Sequence, residues 1–354
     1  MNATNEESRL TTALFPYLRV AFKKQDFSPR SRSSDLKRGL MKAVILVGGE
    51  GTRMRPFTLS TPKPLLPVAG RTMIERVAHH LVHHGIDSLV LALGYLPQRF
   101  VDYFPKFEIA GLPVSYCVED RRLDTAGALR HAVDQIGITD TFVAMNGDIL
   151  TDLDIGELVA SHRASGASAT LAVRPVEDPS AFGVVVTRDD GRVTRFVEKP
   201  TRGEAPSRMV NAGVYVFDPD GLDGVSPTSP SSLERDVFPD LAADARLHSY
   251  AFDDYWEDAG TPESFSRASF AAGGRDGADG TLEYRNGSWI APDAAVRPGA
   301  VIRDSVVNPG CWIGPDARVE RCVLLPHTVV PRGAAIRDLV MSPRGMATVF
   351  HGTT

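Results

Sequence analysis

The chain has 354 residues, of which 43% are hydrophobic and 23% charged, and a formal net charge of −5 at pH 7. That length allows one large domain and a smaller one. The acidic balance gives no reason to expect nucleic acid or an anionic membrane as a partner. No apolar stretch approaches the ~18 residues of a membrane span.

Residues 1–40 are rich in Ser and Arg and show no sustained apolar period. They lack the apolar core of a secretory signal, and we predict a disordered extension. We expect the main domain over 41–272. The chain's three cysteines are odd in number and not spaced as metal ligands. They predict free thiols and a cytoplasmic location.

The segment 41–68 carries the strongest signal. An apolar run over 43–47 predicts a buried strand of a parallel sheet. It leads into Gly48-Gly49-Glu50-Gly51-Thr52-Arg53, where three glycines permit a sharp turn and a close approach of the backbone to a ligand. Their N–H groups can form an anion-binding concavity. With the charges of Arg53, Arg55 and Lys63, the segment predicts a polyphosphate site.

Two familiar phosphate loops do not fit this segment. A P-loop requires Gly-Lys-Ser/Thr, whereas Gly51 is followed by Thr52-Arg53. The dinucleotide fingerprint requires a third glycine where Met54 stands, and the prolines that follow prevent an immediate helix.

The segment instead resembles the signature of the sugar-1-phosphate nucleotidyltransferases, GGxGTRxRPxT followed by PKPLxPV. Its pattern is most similar to the mannose-1-phosphate guanylyltransferases. The resemblance implies a doubly wound, Rossmann-like α/β domain. It also implies nucleotide contacts along the loop, at Val47, Gly48, Gly49, Gly51 and Thr52.

Strands and helices alternate after this loop. Helices are predicted over 71–84, 125–136 and 154–165, and strands over 88–93, 113–118 and 141–145. Such alternation favours a doubly wound sheet, in which ligands bind beyond the carboxyl ends of the strands. The glycine loop and Asp148 both follow strands, so they can converge.

The region from 169 to 217 is rich in predicted strands: 169–173, 183–187, 193–198 and 209–217. We interpret it as a smaller half that covers the sugar. A last strand is predicted over 250–256, and a helix then begins at Thr261-Pro262-Glu263 with Thr261 as its N-cap.

The C-terminal sequence is repetitive. A linker is predicted over 273–286, and apolar residues then recur about every six positions from Ile290 to Ile336. Stacked in threes, they form columns that repeat every ~17 residues, as in hexapeptide-repeat solenoids. We predict a short left-handed parallel β-helix over 287–345 and a tail over 346–354. Because stacked coils leave their ends uncovered, we expect a homo-oligomer.

The resemblance implies a reaction: Mg²⁺-dependent transfer of a nucleotidyl group from an NTP, here GTP, to a sugar 1-phosphate, here mannose 1-phosphate. The attacking phosphate oxygen is already anionic, so the site must mainly bring two anions together. The family implies Arg53 at the β/γ-phosphates and Lys63 at the α-phosphate. It implies Asp148, and Asp258 in a W-x-D-x-G-x-P string, as the Mg²⁺ ligands.

Further family strings imply contacts to the sugar. These are Gly183 in FGVV, Glu198 and Lys199 in EKP, and Asn211 in NAGxY. Taken singly, Glu198 and Lys199 would be a surface ion pair of little energetic weight.

One string departs from the family. Where the family often has LGTAGAL, this chain has Asp124 in place of the first glycine. The string implies nucleoside contacts at Asp124 and Gly127. An acceptor there favours guanine, although an aspartate can also cap the helix it precedes.

Two alternatives stay open. One is the same reaction with another NTP or another acceptor, such as a glucose, heptose or cyclitol phosphate. The other is a non-catalytic regulatory subunit, which is expected to have lost the loop cations that this chain keeps. A helix with His79, His80, His83 and His84 has two i,i+4 pairs, but they lie on adjacent faces, so we predict a helix surface there and not a metal site.

Overall fold

The computed structural model of the protein describes residues 41–276 and 282–349. The predicted extension over 1–40, residues 277–281 of the predicted linker and residues 350–354 of the predicted tail lie outside these ranges. Within them, no helix has the length and apolar character to cross a membrane. Cys117, Cys311 and Cys322 are buried free thiols, as predicted.

The first part of the chain alternates strands and helices. Its strands are β1 (Lys42–Leu46), β2 (Pro67–Val68), β3 (Arg71–Thr72), β4 (Ser88–Leu93), β5 (Glu108–Ile109), β6 (Leu112–Val118), β7 (Phe142–Asn146), β8 (Ile149–Thr151), β9 (Ala169–Pro175), β10 (Gly183–Thr187), β11 (Val193–Glu198), β12 (Met209–Phe217), β13 (Leu247–Ala251) and β14 (Trp256–Asp258). Its helices are α1 (Met73–His83), α2 (Pro97–Tyr103), α3 (Asp124–Ile136), α4 (Ile155–Ser165), α5 (Phe238–Ala243) and α6 (Pro262–Asp276).

A mixed sheet of ten strands organises this part. Its centre is parallel, with β1 between β4 and β7, and β6 beside β4. Consecutive residues of β1 face opposite sides, so Val44 packs against α3 and Ile45 packs in the core on the α1 side. Both faces of the sheet are therefore covered by helices, as the alternating pattern predicted.

The strand-rich segment continues this sheet. Strand β12 pairs antiparallel with β7, and β9 and β10 both pair antiparallel with β12. The parallel and antiparallel halves thus share one sheet, and the carboxyl end of β7 lies between them.

The predicted strand over 250–256 is wrong. Strand β13 ends at Ala251 and pairs in parallel with β9, whereas β14 begins at Trp256 and pairs antiparallel with β8. The two strands belong to different sheets, so the chain must leave one before it enters the other. Helix α6 then begins as predicted, and the Ser264 N–H donates to Thr261 Oγ1 over 3.2 Å.

The predicted start of the linker at 273 also needs correction, because α6 continues to Asp276. A Cβ added to Gly273 would lie 2.5 Å from Cδ1 of Trp289. This glycine therefore permits close packing of the helix on the C-terminal part, and it does not mark a flexible joint.

The C-terminal strands form stacked parallel ladders. They are β15 (Glu283–Arg285), β16 (Ser288–Ile290), β17 (Ala295–Val296), β18 (Val301–Arg303), β19 (Val306–Val307), β20 (Trp312–Ile313), β21 (Arg318–Leu324), β22 (Val329–Val330), β23 (Ala335–Ser342) and β24 (Gly345–Thr348). Ile290 pairs with Val307, and Val307 with Leu324, so each step along the ladder is 17 residues. The other two predicted columns keep the same register. The apolar columns are thereby confirmed.

Antiparallel strands flank the longest of these ladders. Strand β15 pairs with β16 at one edge, and β24 pairs with β23 at the other. The predicted tail from 346 therefore begins inside β24. Residues Val306, Val323 and Val340 belong to the same hydrophobic core as α1 and the loop after β1. The C-terminal coils thus pack directly on the first part of the chain.

Candidate active site

The glycine loop leaves β1 at the carboxyl edge of the sheet. Gly51 has a left-handed conformation (φ 60°), and a Cβ there would lie 3.0 Å from Cγ2 of Thr58. Thr58 Oγ1 donates to the Gly51 carbonyl over 2.8 Å, which holds the turn. At Gly49, no heavy atom of the described residues lies within 4 Å of an added Cβ. The backbone is therefore open to a ligand there.

A second glycine and a partly buried acid close one side of this loop. A Cβ on Gly94 would lie 2.2 Å from Oε1 of Glu119 and 2.9 Å from the Gly48 carbonyl oxygen. The Leu123 N–H donates to Glu119 Oε2 over 2.7 Å, while burial raises the pKa of Glu119. Glu119 was not predicted as a site residue, although it directly follows β6 at the edge where ligands bind.

Asp148 lies at the centre of the site. A Cβ on Gly147 would lie 2.4 Å from Cγ1 of Val47, so the turn after β7 packs tightly against the glycine loop. The Lys63 ammonium forms an ion pair with Asp148 Oδ2. These two side chains are only 12% and 20% exposed, which strengthens their interaction compared with a surface pair.

Asp258 adds a second carboxylate beside the first. The Ala259 N–H donates to the Asp148 carbonyl over 3.0 Å, which joins the two turns. Burial, and then the charge of Asp148, raise the pKa of Asp258 to about 6, while Lys63 and Arg53 oppose the shift. A Cβ on Gly260 would lie 2.8 Å from both Arg53 Nη2 and Asp258 Oδ1. Only glycine at that position leaves room for both groups.

The carboxylate pair fits a hard divalent cation. Asp258 Oδ1 is buried and accepts no hydrogen bond from the described residues. These residues contain no group of three or more His, Cys, Asp or Glu side chains placed to bind a metal. Mg²⁺ commonly takes one or two carboxylates and completes its shell with substrate phosphates and water. Asp148 and Asp258 are therefore the residues that could hold one.

A cavity of about 450 Å³ lies at these groups, and Asp148 and Gly260 line it whereas Asp258 does not. Nine of the residues predicted for the nucleotide or the chemistry line it: Val47, Gly48, Gly49, Gly51, Thr52, Arg53, Lys63, Asp124 and Asp148. Arg122 and Asn146 also line it and were not predicted. Arg55 does not; its half-exposed side chain pairs with Glu50 over 3.1 Å. The third loop cation is therefore paired with Glu50, a half-exposed carboxylate that itself lines the cavity.

The structure explains the departure at Asp124. This residue has φ +59°, a left-handed conformation that favours the family's glycine. Its Oδ1 accepts from the Thr125 N–H over 2.9 Å, and its Oδ2 accepts from Arg235 over 2.5 Å. Both carboxylate oxygens have protein partners, so this geometry does not favour the predicted contact with guanine.

Gly127 does not line the cavity. A Cβ there would lie 2.7 Å from the Ser229 carbonyl oxygen. The Gly127 N–H donates to the Ser231 carbonyl over 3.1 Å. This glycine thus allows the loop before Leu233 to pack on α3, and the structure gives it no nucleotide contact.

The residues predicted for the sugar lie together on the antiparallel half. Gly183 pairs with Glu198 across β10 and β11, and a Cβ on Gly183 would lie 2.4 Å from the ring of Phe196. Lys199 has φ +43° and donates to Glu198 Oε1 over 2.5 Å. Neither Gly183 nor the Glu198–Lys199 pair lines the 450 Å³ cavity.

Asn211 lies in the irregular centre of β12, between the residues predicted for the sugar and the turn that carries Asp148. Its Oδ1 accepts from the Gly213 N–H over 3.0 Å, and its Nδ2 donates to Tyr215 Oη over 2.9 Å. Gly213 in turn lies against Asn146, with 2.9 Å between an added Cβ and Nδ2. The bulge of β12 therefore lies beside the turn that carries Asp148.

The histidine helix α1 borders a different cavity, of about 430 Å³. His80 Nε2 donates to the Leu153 carbonyl over 2.9 Å, and burial and then His84 lower the pKa of His80 to about 4. Its neutral ring acts as a packing group, in line with the predicted helix surface.

Known proteins are similar to this chain in sequence and in fold. A family described as nucleotidyl transferase matches residues 42–273. The mannose-1-phosphate guanylyltransferase of Mycobacterium tuberculosis is 37% identical over 298 residues, 83% of this chain and 82% of that protein. The mannose-1-phosphate guanyltransferase of Neurospora crassa is 35% identical over 315 residues, 85% and 86% of the two chains.

Solved structures agree on the fold. HddC from Yersinia pseudotuberculosis, also solved in complex with GMP-PN, is 25% identical with a TM-score of 0.57 and covers 66% of this chain and 100% of its own. A putative glucose-1-phosphate thymidylyltransferase from Bacillus anthracis is 27% identical with a TM-score of 0.59, over 66% and 95%. Since the family match spans well over half of the sequence and both curated relatives align over more than four-fifths of their length, this chain belongs to the nucleotidyl transferase family and is a nucleotidyltransferase enzyme.

Proposed function

We propose that the protein transfers a guanylyl group from GTP to mannose 1-phosphate and releases pyrophosphate. The observation that carries this proposal is the Lys63–Asp148 ion pair, which lies in the glycine-loop cavity with Asp258 beside it. A polyphosphate and a second phosphate can bind together at such a site, because Lys63, Arg53 and the backbone of the glycine loop line the same cavity.

In the proposed reaction, an oxygen of the sugar phosphate attacks the α-phosphorus of the triphosphate. The bond from that phosphorus to the oxygen bridging to the β-phosphate breaks, and pyrophosphate leaves with the electron pair. No proton has to be removed from the attacking oxygen, so no general base is needed. Lys63 stabilises negative charge on the α-phosphate, and Arg53 holds the departing β- and γ-phosphates.

Asp148 and Asp258 would hold Mg²⁺, and this bound ion supplies positive charge against the phosphates. The buried Asp258 oxygen without a hydrogen bond among the described residues supports this assignment. On the sugar side, Glu198 accepts from hydroxyl groups, Lys199 contacts the sugar phosphate, and Asn211 and Gly183 border the ring.

The choice of GTP and mannose 1-phosphate rests on the relatives. The mannose-1-phosphate guanylyltransferase of Mycobacterium tuberculosis is 37% identical to this chain over 298 residues, and HddC was solved with GMP-PN. A second pair, dTTP with glucose 1-phosphate, has the support of the Bacillus anthracis structure. The left-handed winding of the coils, the homo-oligomeric state and the cytoplasmic location stay predictions of the sequence.

Pyrophosphate release tests the proposal. GTP, ATP, dTTP and UTP are each combined with mannose 1-phosphate and glucose 1-phosphate, with Mg²⁺ or with EDTA. We expect GTP with mannose 1-phosphate to give the highest kcat/KM and EDTA to abolish turnover. Faster turnover of another pair would contradict the substrate assignment, and undiminished turnover in EDTA would contradict the metal.

A further inference from the structure

The C-terminal coils contact the segment that carries Arg53 and Lys63 at two places, Gly70 and Pro56. Asn308, which follows β19 and is fully buried, accepts from the Gly70 N–H over 2.9 Å. Gly345 begins β24 and lies against Pro56, where an added Cβ would be 2.8 Å from Cγ. Pro56 follows Arg53 in the same loop, and Gly70 follows Lys63, so each contact lies close in sequence to one cation.

The Asn308 amide has a defined orientation. Its Nδ2 donates to the Leu324 carbonyl over 2.9 Å, and its backbone N–H donates to the same carbonyl over 3.0 Å. Since Gly70 offers a donor and Leu324 an acceptor, only one of the two amide orientations satisfies both. A buried amide with both ends bonded resists movement of either partner.

Gly70 lies in a two-residue hairpin turn between β2 and β3. Ala69 has φ 48° and Gly70 has φ 86°, which is the tight primed turn that hairpins favour. Arg76 of α1 donates to the Val68 carbonyl over 2.6 Å and to the Ala69 carbonyl over 2.9 Å. The hairpin carbonyls are thus held from within the first part of the chain, and Asn308 holds the N–H from the coils.

Short backbone bonds connect this hairpin to Lys63. The Leu66 N–H donates to the Lys63 carbonyl over 2.9 Å, and the Met73 N–H donates to the Leu66 carbonyl over 3.2 Å. The segment between Lys63 and α1 is therefore a closed, bonded unit. A displacement of Gly70 would therefore shift Lys63 as well, because these backbone bonds join the residues on either side of the hairpin.

We infer that the C-terminal coils position Lys63 for the transfer step through the hydrogen bond from Gly70 to Asn308. Asn308 is a positioning residue, since it touches neither the cavity nor the proposed reacting atoms. The inference rests on the proposed function, in which Lys63 stabilises the α-phosphate. A small displacement of a group that acts at the reacting centre lowers kcat more than it changes KM.

The test compares Asn308→Leu, which removes the acceptor at similar volume, with Thr328→Val. Thr328 is fully buried in the coils, and its hydroxyl donates to the Leu325 carbonyl over 2.6 Å. Asn308→Leu loses the side-chain bonds to Gly70 and Leu324, and Thr328→Val loses those to the Leu325 and Met341 carbonyls. Of these two residues, only Asn308 bonds to the first part of the chain. We expect Asn308→Leu to lower kcat roughly tenfold with KM for the triphosphate within about threefold, and Thr328→Val to keep kcat within about twofold.

Two further measurements separate positioning from folding. Amide hydrogen exchange at Gly70 should accelerate roughly fivefold in Asn308→Leu and stay unchanged in Thr328→Val, because the lost bond is worth about 1 kcal/mol. Asn308→Asp keeps the acceptor for Gly70, so it should retain most of the wild-type kcat even where its melting temperature falls. It also serves as the working variant where Asn308→Leu does not fold.

The final arm is a double-mutant cycle with Lys63→Met. Once Lys63 is lost, Asn308→Leu should lower kcat no further. The inference is overturned by equal kcat losses in Asn308→Leu and Thr328→Val, by loss of kcat in folded Asn308→Asp, or by additive losses in the cycle. A wild-type protein without pyrophosphate release would instead overturn the proposed function and this inference with it.

Discussion

Replacing Lys63 by methionine removes one charge while it keeps most of the side-chain length. Lys63 is 12% exposed and ion-paired with Asp148, so its charge acts in a medium of low effective dielectric. At an effective dielectric constant of about 20, unit charges about 4 Å apart interact by roughly 4 kcal/mol. Loss of one preorganised cation or donor at a reacting centre typically costs about 100- to 1000-fold in kcat, or roughly 2.7–4 kcal/mol. We expect Lys63→Met to fall in this range.

Arg55 offers a matched control within the same loop. It carries the same formal charge, but its side chain is 49% exposed, pairs with Glu50 and does not itself line the cavity. Surface pairs contribute about 0–1 kcal/mol, so Arg55→Met should change kcat less than about threefold. Initial rates of pyrophosphate release give kcat and KM for the wild type and both variants. A near-wild-type Lys63→Met, or equal losses in both variants, would refute the assignment of the transfer chemistry to Lys63.

Three further outcomes follow from the geometry. Asp124→Gly relieves a left-handed conformation that costs about 1–2 kcal/mol, but it also loses the ion pair with Arg235. We therefore expect little change in stability or in the preference for GTP over ATP. A clear change in the preferred base would show that Asp124 determines nucleotide specificity. Gly94→Ala places a methyl group on the carboxylate of Glu119, and the KM for the triphosphate should rise about tenfold, which titration of the substrate checks. His80 is neutral in the folded state, because its pKa of about 4 lies below its unfolded value of about 6.5. Its contribution to the free energy of unfolding is therefore full above pH 6.5 and is lost as pH falls toward 4. Between pH 7.5 and pH 5, urea unfolding should show that the free energy of unfolding of His80→Gln falls by about 2 kcal/mol less than that of the wild type.

Local periodic signals in the sequence predicted the repeated parts of the structure well. The column through Ile290, Val307 and Leu324 has the predicted register. Each coil places one apolar residue on each face, so the apolar positions recur in sequence with the same period as the coils. Strand β4 has the predicted bounds for a similar reason, since an apolar run between polar turns is a local pattern.

Contacts between distant segments could not be read in this way. Arg235 lies 111 residues from Asp124, and no local pattern connects them. Gly273 was predicted to lie in a linker and Gly127 to contact the nucleoside, but each glycine allows another segment to pack closely against a helix. The role of Asp258 came from a family string, because an isolated aspartate after a strand has no distinctive spacing of its own.

The charge balance of the site gives a physical reason for the proposed cation. Asp148 and Asp258 face Lys63 and Arg53, so these four side chains alone are formally neutral when all are ionised. Burial is the largest cause that raises the pKa of Asp258 to about 6, and the charge of Asp148 adds to it, while Lys63 and Arg53 oppose the shift. A triphosphate and a sugar phosphate would add several negative charges to the same cavity. Since Lys63 and Arg53 are already needed by the carboxylates, the phosphates require further positive charge, and a divalent ion on Asp148 and Asp258 would supply it where the two substrates meet.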